Sequence, residues 1–120
     1  MPHLQIRIYK RYKRIIMKTI ITSTGDNLDS GFDLRFGRAA WFCLLDETTG
    51  VTTFYENKSN EVSHGAGTKA VEKVVELGAG RVISGDFGPR AKELLEKFKV
   101  QMVLLSDDSR SVADIVDSIK

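Results

Sequence analysis

Ala40-Trp-Phe-Cys-Leu-Leu-Asp-Glu-Thr-Thr-Gly-Val-Thr-Thr-Phe-Tyr-Glu-Asn57 decides the fold. Residues 40–46 form an apolar, aromatic-rich run of strand length, and residues 51–57 alternate apolar with polar. Glu47-Thr-Thr-Gly50 between them is turn material, so the two runs form an antiparallel hairpin. Upstream, Lys18-Thr-Ile-Ile-Thr-Ser23 is a first strand rich in β-branched residues. A wide loop, 24–38, separates it from the hairpin, and a second loop, 58–67, follows.

Downstream the period changes to that of helices. Ala70, Val71, Val74, Val75 and Leu77 share one helical face, closed by Gly78. Arg81-Val-Ile-Ser84 is a short strand. Pro89 suits the first turn of the next helix, whose Ala91, Leu94, Leu95 and Phe98 recur at i, i+3, i+4 and i+7. Residues 101–105 form a strand. Ser111 is placed to cap a last helix with Val112, Ile115, Val116 and Ile119 inward.

Three strands joined by a wide loop and a hairpin are antiparallel neighbours, and later strands linked by helices add in parallel. The expected fold is therefore α/β. It has three α/β/α layers and a mixed five-stranded sheet of order 3-2-1-4-5, with strand 2 antiparallel. This strand order is of the ribonuclease H-like kind. It sends the loops after strands one, three and four to one end of the sheet, where open α/β sheets bind ligands.

Those loops carry the chemistry. They are Asn27-Leu-Asp-Ser-Gly-Phe-Asp-Leu-Arg-Phe-Gly-Arg38, Ser63-His-Gly-Ala-Gly67 and Gly85-Asp-Phe-Gly-Pro-Arg90. Glycine lets backbone N–H groups approach a ligand closely, and Arg or His beside such amides makes an anion pocket. Arg35, Arg38, His64 and Arg90 meet at this mouth by the topology. The bland alternative for Arg35 and Arg38 is surface pairing with Asp29, Asp33 or Asp46. Phe32 and Phe36 read as core plugs under the loop. Asp86 repels an anion and is expected to bond its own loop. His64 is a candidate metal contact, since imidazole suits many transition metals. Cys43, between Phe42 and Leu44, reads as a buried thiol.

Length and composition narrow the classes. The chain of 120 residues is one domain, and no apolar run is long enough to span a membrane. A single cysteine excludes an internal disulfide framework and an all-cysteine metal cage within one chain. It fits a reducing cytoplasm. Residues 1–16 hold Arg7, Lys10, Arg11, Lys13 and Arg14 and no carboxylate, whereas the rest has 13 basic to 16 acidic side chains. The body is thus mildly acidic, which argues against a nucleic-acid partner. Residues 1–16 lack a secretory h-region and are expected to lie outside the fold, as an upstream start or an added leader. The binding domain is then 17–120.

Catalytic patterns are missing. The chain has no nucleophile elbow, no H-E-x-x-H, no Cys-x-x-Cys and no G-x(4)-G-K-[ST]. Two-metal nucleases need a carboxylate in the first strand, where this chain reads Thr22-Ser-Thr24. No residue is assigned a catalytic role, and the protein is expected not to be an enzyme.

Four segments carry a resemblance. They are Phe32-Asp-Leu-Arg-Phe-Gly-Arg-Ala39, Glu56-Asn57, Gly65-Ala-Gly67 and Ser84-Gly-Asp-Phe-Gly88. In them residues 17–119 resemble the dinitrogenase iron–molybdenum cofactor-binding family, and most of all its short members of the molybdenum–copper orange-protein type. The resemblance implies a ribonuclease H-like fold without nuclease activity. It also implies a carrier of a preformed anionic metal–sulfur cluster, either a molybdenum–copper sulfide or a related molybdenum or iron–sulfur cluster. Carried over residue by residue, the pocket is Arg35, Gly37, Arg38, His64, Gly65, Gly67, Gly85 and Gly88. A cluster donor or acceptor, such as a partner ATPase, is the expected protein partner. No membrane partner is expected, and the chain is expected to be a monomer. The competing reading is a small regulatory or adaptor module that binds a phosphate metabolite or a partner ATPase.

Overall fold

The structure, a computed structural model, describes residues 6–8 and 16–119. Its strands are β1 (Ile6–Ile8), β2 (Lys18–Ser23), β3 (Trp41–Asp46), β4 (Thr52–Glu56), β5 (Arg81–Ser84) and β6 (Gln101–Leu105). Its helices are α1 (Ala66–Glu76), α2 (Pro89–Lys97) and α3 (Val112–Ile119). The sheet order is β1-β6-β5-β2-β3-β4. β2 pairs parallel with β5 and antiparallel with β3, and β5 pairs parallel with β6. The five strands read from the sequence therefore stand in the expected order within a mixed α/β sheet.

β1 is the addition. Part of the segment expected to lie outside the fold pairs antiparallel with β6, Ile6 opposite Leu105 and Ile8 opposite Val103. Without it β6 would present a row of unpaired backbone groups at the sheet edge.

The hairpin turns as its residues dictate. Asp46 Oδ1 accepts the Thr48 and Thr49 N–H groups, and the Gly50 N–H bonds Asp46 O at 2.7 Å. Gly50 takes a φ of 79°, which glycine adopts without strain.

The period-2 pattern of the central strands sorts side chains into two cores. Ile20, Phe42, Leu44, Val82 and Met102 pack under α1 and α2 through Ala70, Val71, Val74, Ala91 and Leu95. Ile21, Cys43, Leu45, Ile83 and Val103 pack under α3 through Val112, Ile115 and Val116. Helices thus cover both faces. Two inward assignments fail: Val75 is 42% and Phe98 47% exposed. Val75 falls off the stripe set by Ala66, Ala70, Val71 and Val74, and Phe98 is the α2 C-cap, beyond the packed turns. α3 begins with a reciprocal capping box between Ser111 and Asp114, both bonds 3.1 Å.

Candidate functional site

β2, β4 and β5 run in the same direction, so the loops that follow them leave the sheet at one end. The first loop is fastened along its length. Its outer half lies against α3, where the Val112 and Ala113 N–H groups donate to Ser30 O and Leu28 O, both at 2.8 Å. Its inner half returns to the sheet. The Asp33 N–H donates to Thr22 O at 3.0 Å, and the Thr22 hydroxyl donates to Asp33 O at 2.6 Å, 2.8 Å from the Ser84 hydroxyl.

Phe32 and Phe36 are both buried, as the sequence indicated. Phe36 packs on Phe87 with ring centroids 5.1 Å apart and on Phe42 at 6.3 Å. Anchoring Phe36 inward leaves Arg35 and Arg38 on the surface. Arg35 meets the buried Asp33 carboxylate through Nε and Nη2, each at 3.1 Å, and Asp33 Oδ1 also accepts the Arg35 N–H at 3.0 Å. The bond to Asp33, with its charge, holds the guanidinium above its ordinary pKa. The Arg35 side chain stays 64% exposed, so the pair orients it without hiding it.

Arg38 turns to the second loop and donates from Nη1 to Asn60 O at 3.0 Å and to Val62 O. Asn57, buried at the end of β4, closes the first loop. Its Nδ2 donates to Gly37 O at 3.0 Å and to Ala39 O at 2.8 Å.

The glycines let these pieces approach. A Cβ on Gly37 would meet the backbone of Ala66 and Gly67, and one on Gly67 would lie 3.3 Å from the Ala91 Cβ. The first loop, the start of α1 and the start of α2 are therefore in direct contact. They surround a cleft of about 490 Å³. The first loop contributes Arg35, Gly37 and Arg38, the entry of α1 contributes Gly65 and Gly67, and the entry of α2 contributes Gly88 and Arg90.

α1 and α2 start at Gly65 and Gly88. Neither has a side-chain cap or an acidic residue in its first turn. The positive ends of both helix dipoles thus open at the cleft without a side-chain cap. α3, with its capping box, makes the contrast.

Two of the residues the sequence placed here are not in the lining. Gly85 is not in the lining. A Cβ on it would stand 2.8 Å from the Leu34 Cα, so this glycine joins two loops rather than facing a ligand. His64 is exposed beside Gly65 and is not part of the lining. Asp86, expected to bond its own loop, lines the cleft, and its backbone bridges to Arg35. The sequence offered Asp33 as a surface partner of Arg35, and the pair forms, but with the carboxylate buried; that burial and the loop-closing role of Asn57 were not read from the sequence. Their signals were a carboxylate two residues before Arg35 and an amide closing a strand.

Cys43 is fully buried in the core under α3, and desolvation pushes its thiol up to about 12. Among the described residues, no group of three or more His, Cys, Asp or Glu side chains could hold a metal ion. No helix among them is long and apolar enough to cross a membrane. What the cleft offers is N–H donors and guanidinium groups, a donor set for an anion, with one carboxylate, Asp86, beside them.

The chain belongs to the dinitrogenase iron-molybdenum cofactor family, whose sequence profile matches residues 17–120. Among solved structures it is similar to the apo form of the orange protein from Desulfovibrio gigas, with 29% identity, a TM-score of 0.81 and 88% of each chain covered. It is also similar to a NifB-like protein of the DUF35 family from Thermotoga, with 28% identity, a TM-score of 0.74 and 87% of each chain covered. No curated protein matches the chain significantly. Family and neighbours together support a cofactor-binding or carrier role.

Proposed function

We propose that this protein is a non-enzymatic carrier of a preformed anionic metal–sulfur cluster seated in the cleft between the first loop and the starts of α1 and α2. One observation carries the reading. Two helix N-termini without side-chain caps converge with Arg35, Arg38 and Arg90 on a single cleft. A thiometalate anion has its metal valences filled by sulfide. It needs hydrogen-bond donors and positive potential rather than thiolate ligands. The residues present fit that need: Gly65 and Gly88 have open space where a Cβ would stand, which leaves room for a bulky ligand against the backbone.

In this reading Arg35, Gly37, Arg38, Gly65, Gly67 and Gly88 hold the cluster, and Gly85 and Asp33 hold the loops that present it. His64, at the margin of the cleft, supplies a side contact. The cargo is a molybdenum–copper sulfide or a related molybdenum or iron–sulfur cluster. The protein works as a cytoplasmic monomer that receives the cluster from one protein and passes it to another, such as a partner ATPase. Residues 17–120 do the binding.

Anaerobic reconstitution of the full chain with tetrathiomolybdate and copper(I) tests this. The expected result is stoichiometric metal and a visible charge-transfer band that stays with the protein on gel filtration. A colourless, metal-free product overturns the proposal.

A further inference from the structure

The charged residues lining the cleft are three arginines and one aspartate. Each arginine there is already engaged, Arg35 with Asp33, Arg90 with Glu93, and Arg38 with two backbone carbonyls. Asp86 is the remaining charged residue of the lining. Among the described residues, no hydrogen bond or ion pair reaches its carboxylate. Two of the three guanidinium groups are paired with carboxylates outside the lining, the third is held by backbone carbonyls, and Asp86 adds an unpaired negative charge. The arginines' pull on an anion is thus reduced by their partners and by Asp86, and the two helix N-termini, each roughly half a positive charge, take a larger share of it.

We infer that Asp86 is the specificity-determining residue of the cleft, excluding small hard oxyanions while admitting large, charge-diffuse ones. Stripping water from a compact oxyanion is expensive, and only dense positive charge or many donors offset that loss. A negative carboxylate on the cleft wall, exposed as Asp86 is, opposes that offset. A sulfide-covered anion spreads its charge over a larger surface and sheds water more easily, so the helix ends and N–H groups suffice. The identity of the admitted ligand rests on the carrier reading.

The absence of a phosphate-loop lysine or serine points the same way. Phosphate-binding loops add a cation to the helix N-terminus, whereas at this mouth a carboxylate sits two residues before Gly88, the α2 N-cap.

The experiment uses the full chain and its Asp86→Asn and Asp86→Glu variants, purified anaerobically and checked for unchanged thermal melts. Each is titrated with tetrathiomolybdate and, separately, with pyrophosphate at fixed ionic strength. The parent should take up tetrathiomolybdate and bind pyrophosphate weakly. Asp86→Asn should bind pyrophosphate at least about tenfold more tightly, because a nearby like charge is removed. Its tetrathiomolybdate affinity should move only a few-fold, and Asp86→Glu should restore the exclusion. An Asp86→Asn isotherm for pyrophosphate that overlays the parent's overturns the inference, as does a parent that binds pyrophosphate as tightly as tetrathiomolybdate. Failure of all three proteins to take up tetrathiomolybdate overturns the carrier reading alone, since the pyrophosphate arm still decides the role of Asp86.

Discussion

A Cβ on Gly37 would stand 2.9 Å from the Gly67 nitrogen and 3.0 Å from its Cα, so the first loop and the start of α1 meet backbone to backbone. Nothing flexible lies between them to give way. Gly37→Ala must push the loop off the helix. The expected loss is about 1–3 kcal/mol of stability, seen as a melt lowered by roughly 5 °C or more, together with weaker thiometalate uptake. Gly88→Ala is the control. Its Cβ meets nothing within 4 Å and its φ is −61°, so stability should change by less than about 0.5 kcal/mol.

Asp33→Ala removes a buried acceptor of three N–H bonds. The exposed guanidinium of Arg35 stays solvated, so the ion pair itself contributes little. The larger effect is the Arg35 backbone N–H left without its acceptor, about 1–3 kcal/mol. Denaturant unfolding should register that loss, and reconstitution should show weaker uptake because Arg35 is no longer oriented.

Cys43 makes a pH prediction. Its thiol is raised to about 12 in the fold, while a thiol in the unfolded chain ionises near pH 8.5. Above that value the unfolded state releases a proton that the folded state keeps, so this site lowers stability as pH climbs toward 12 and is silent below about 8. A Cys43→Ala comparison across pH 8 and 10.5 should show the gap between the two proteins narrowing at the alkaline end. The native thiol should also resist iodoacetamide at pH 8 and react on unfolding. Cys43→Ser should keep most thiometalate uptake, and complete loss of uptake in that variant would replace the cleft with a thiolate-ligated site.

Arg38→Ala should act on the second loop first. The guanidinium holds Asn60 O and Val62 O from outside the loop. Hydrogen exchange should rise across residues 58–65 with little change in the global melt, and thiometalate uptake should fall. Unchanged exchange there would mean the loop is held by its own turns.

Removing residues 1–16 should leave residues 17–119 folded and binding unchanged. The melt should drop by no more than about 5 °C, the effect of uncovering the β6 edge now paired by β1. A larger drop, or lost binding, would make the segment an integral part of the domain.

Much of this was legible because local pattern and global topology agree. The Val and Ile of β2, β5 and β6 alternate between the two cores, and the Glu47–Gly50 turn can only close a hairpin, so strand order followed. The gathering of Arg35, Arg38, Gly65, Gly67 and Gly88 followed from strand direction alone. What escaped depends on three-dimensional side-chain partners. Asp33 looks like any loop aspartate until its burial is known, and Gly85 looks like a ligand glycine until Leu34 is placed against it. The pairing of Ile6–Ile8 with β6 is a long-range choice of edge partner that local alternation does not fix. Val75 and Phe98 failed because helix periodicity does not say where the packed stripe ends.

The fastening of the first loop has a consequence for how the cleft can change. Asn57, Thr22, Gly85 with Leu34, and the α3 N–H groups tie that loop at its beginning, middle and end. The second loop is joined to it by Arg38 through two carbonyls. Residues 58–64 lie outside the lining, so insertions or deletions there would reach the cleft only by way of Arg38. The opening itself is framed by segments whose backbones touch at Gly37 and Gly67, so its width is set by side-chain size at those contacts rather than by loop length.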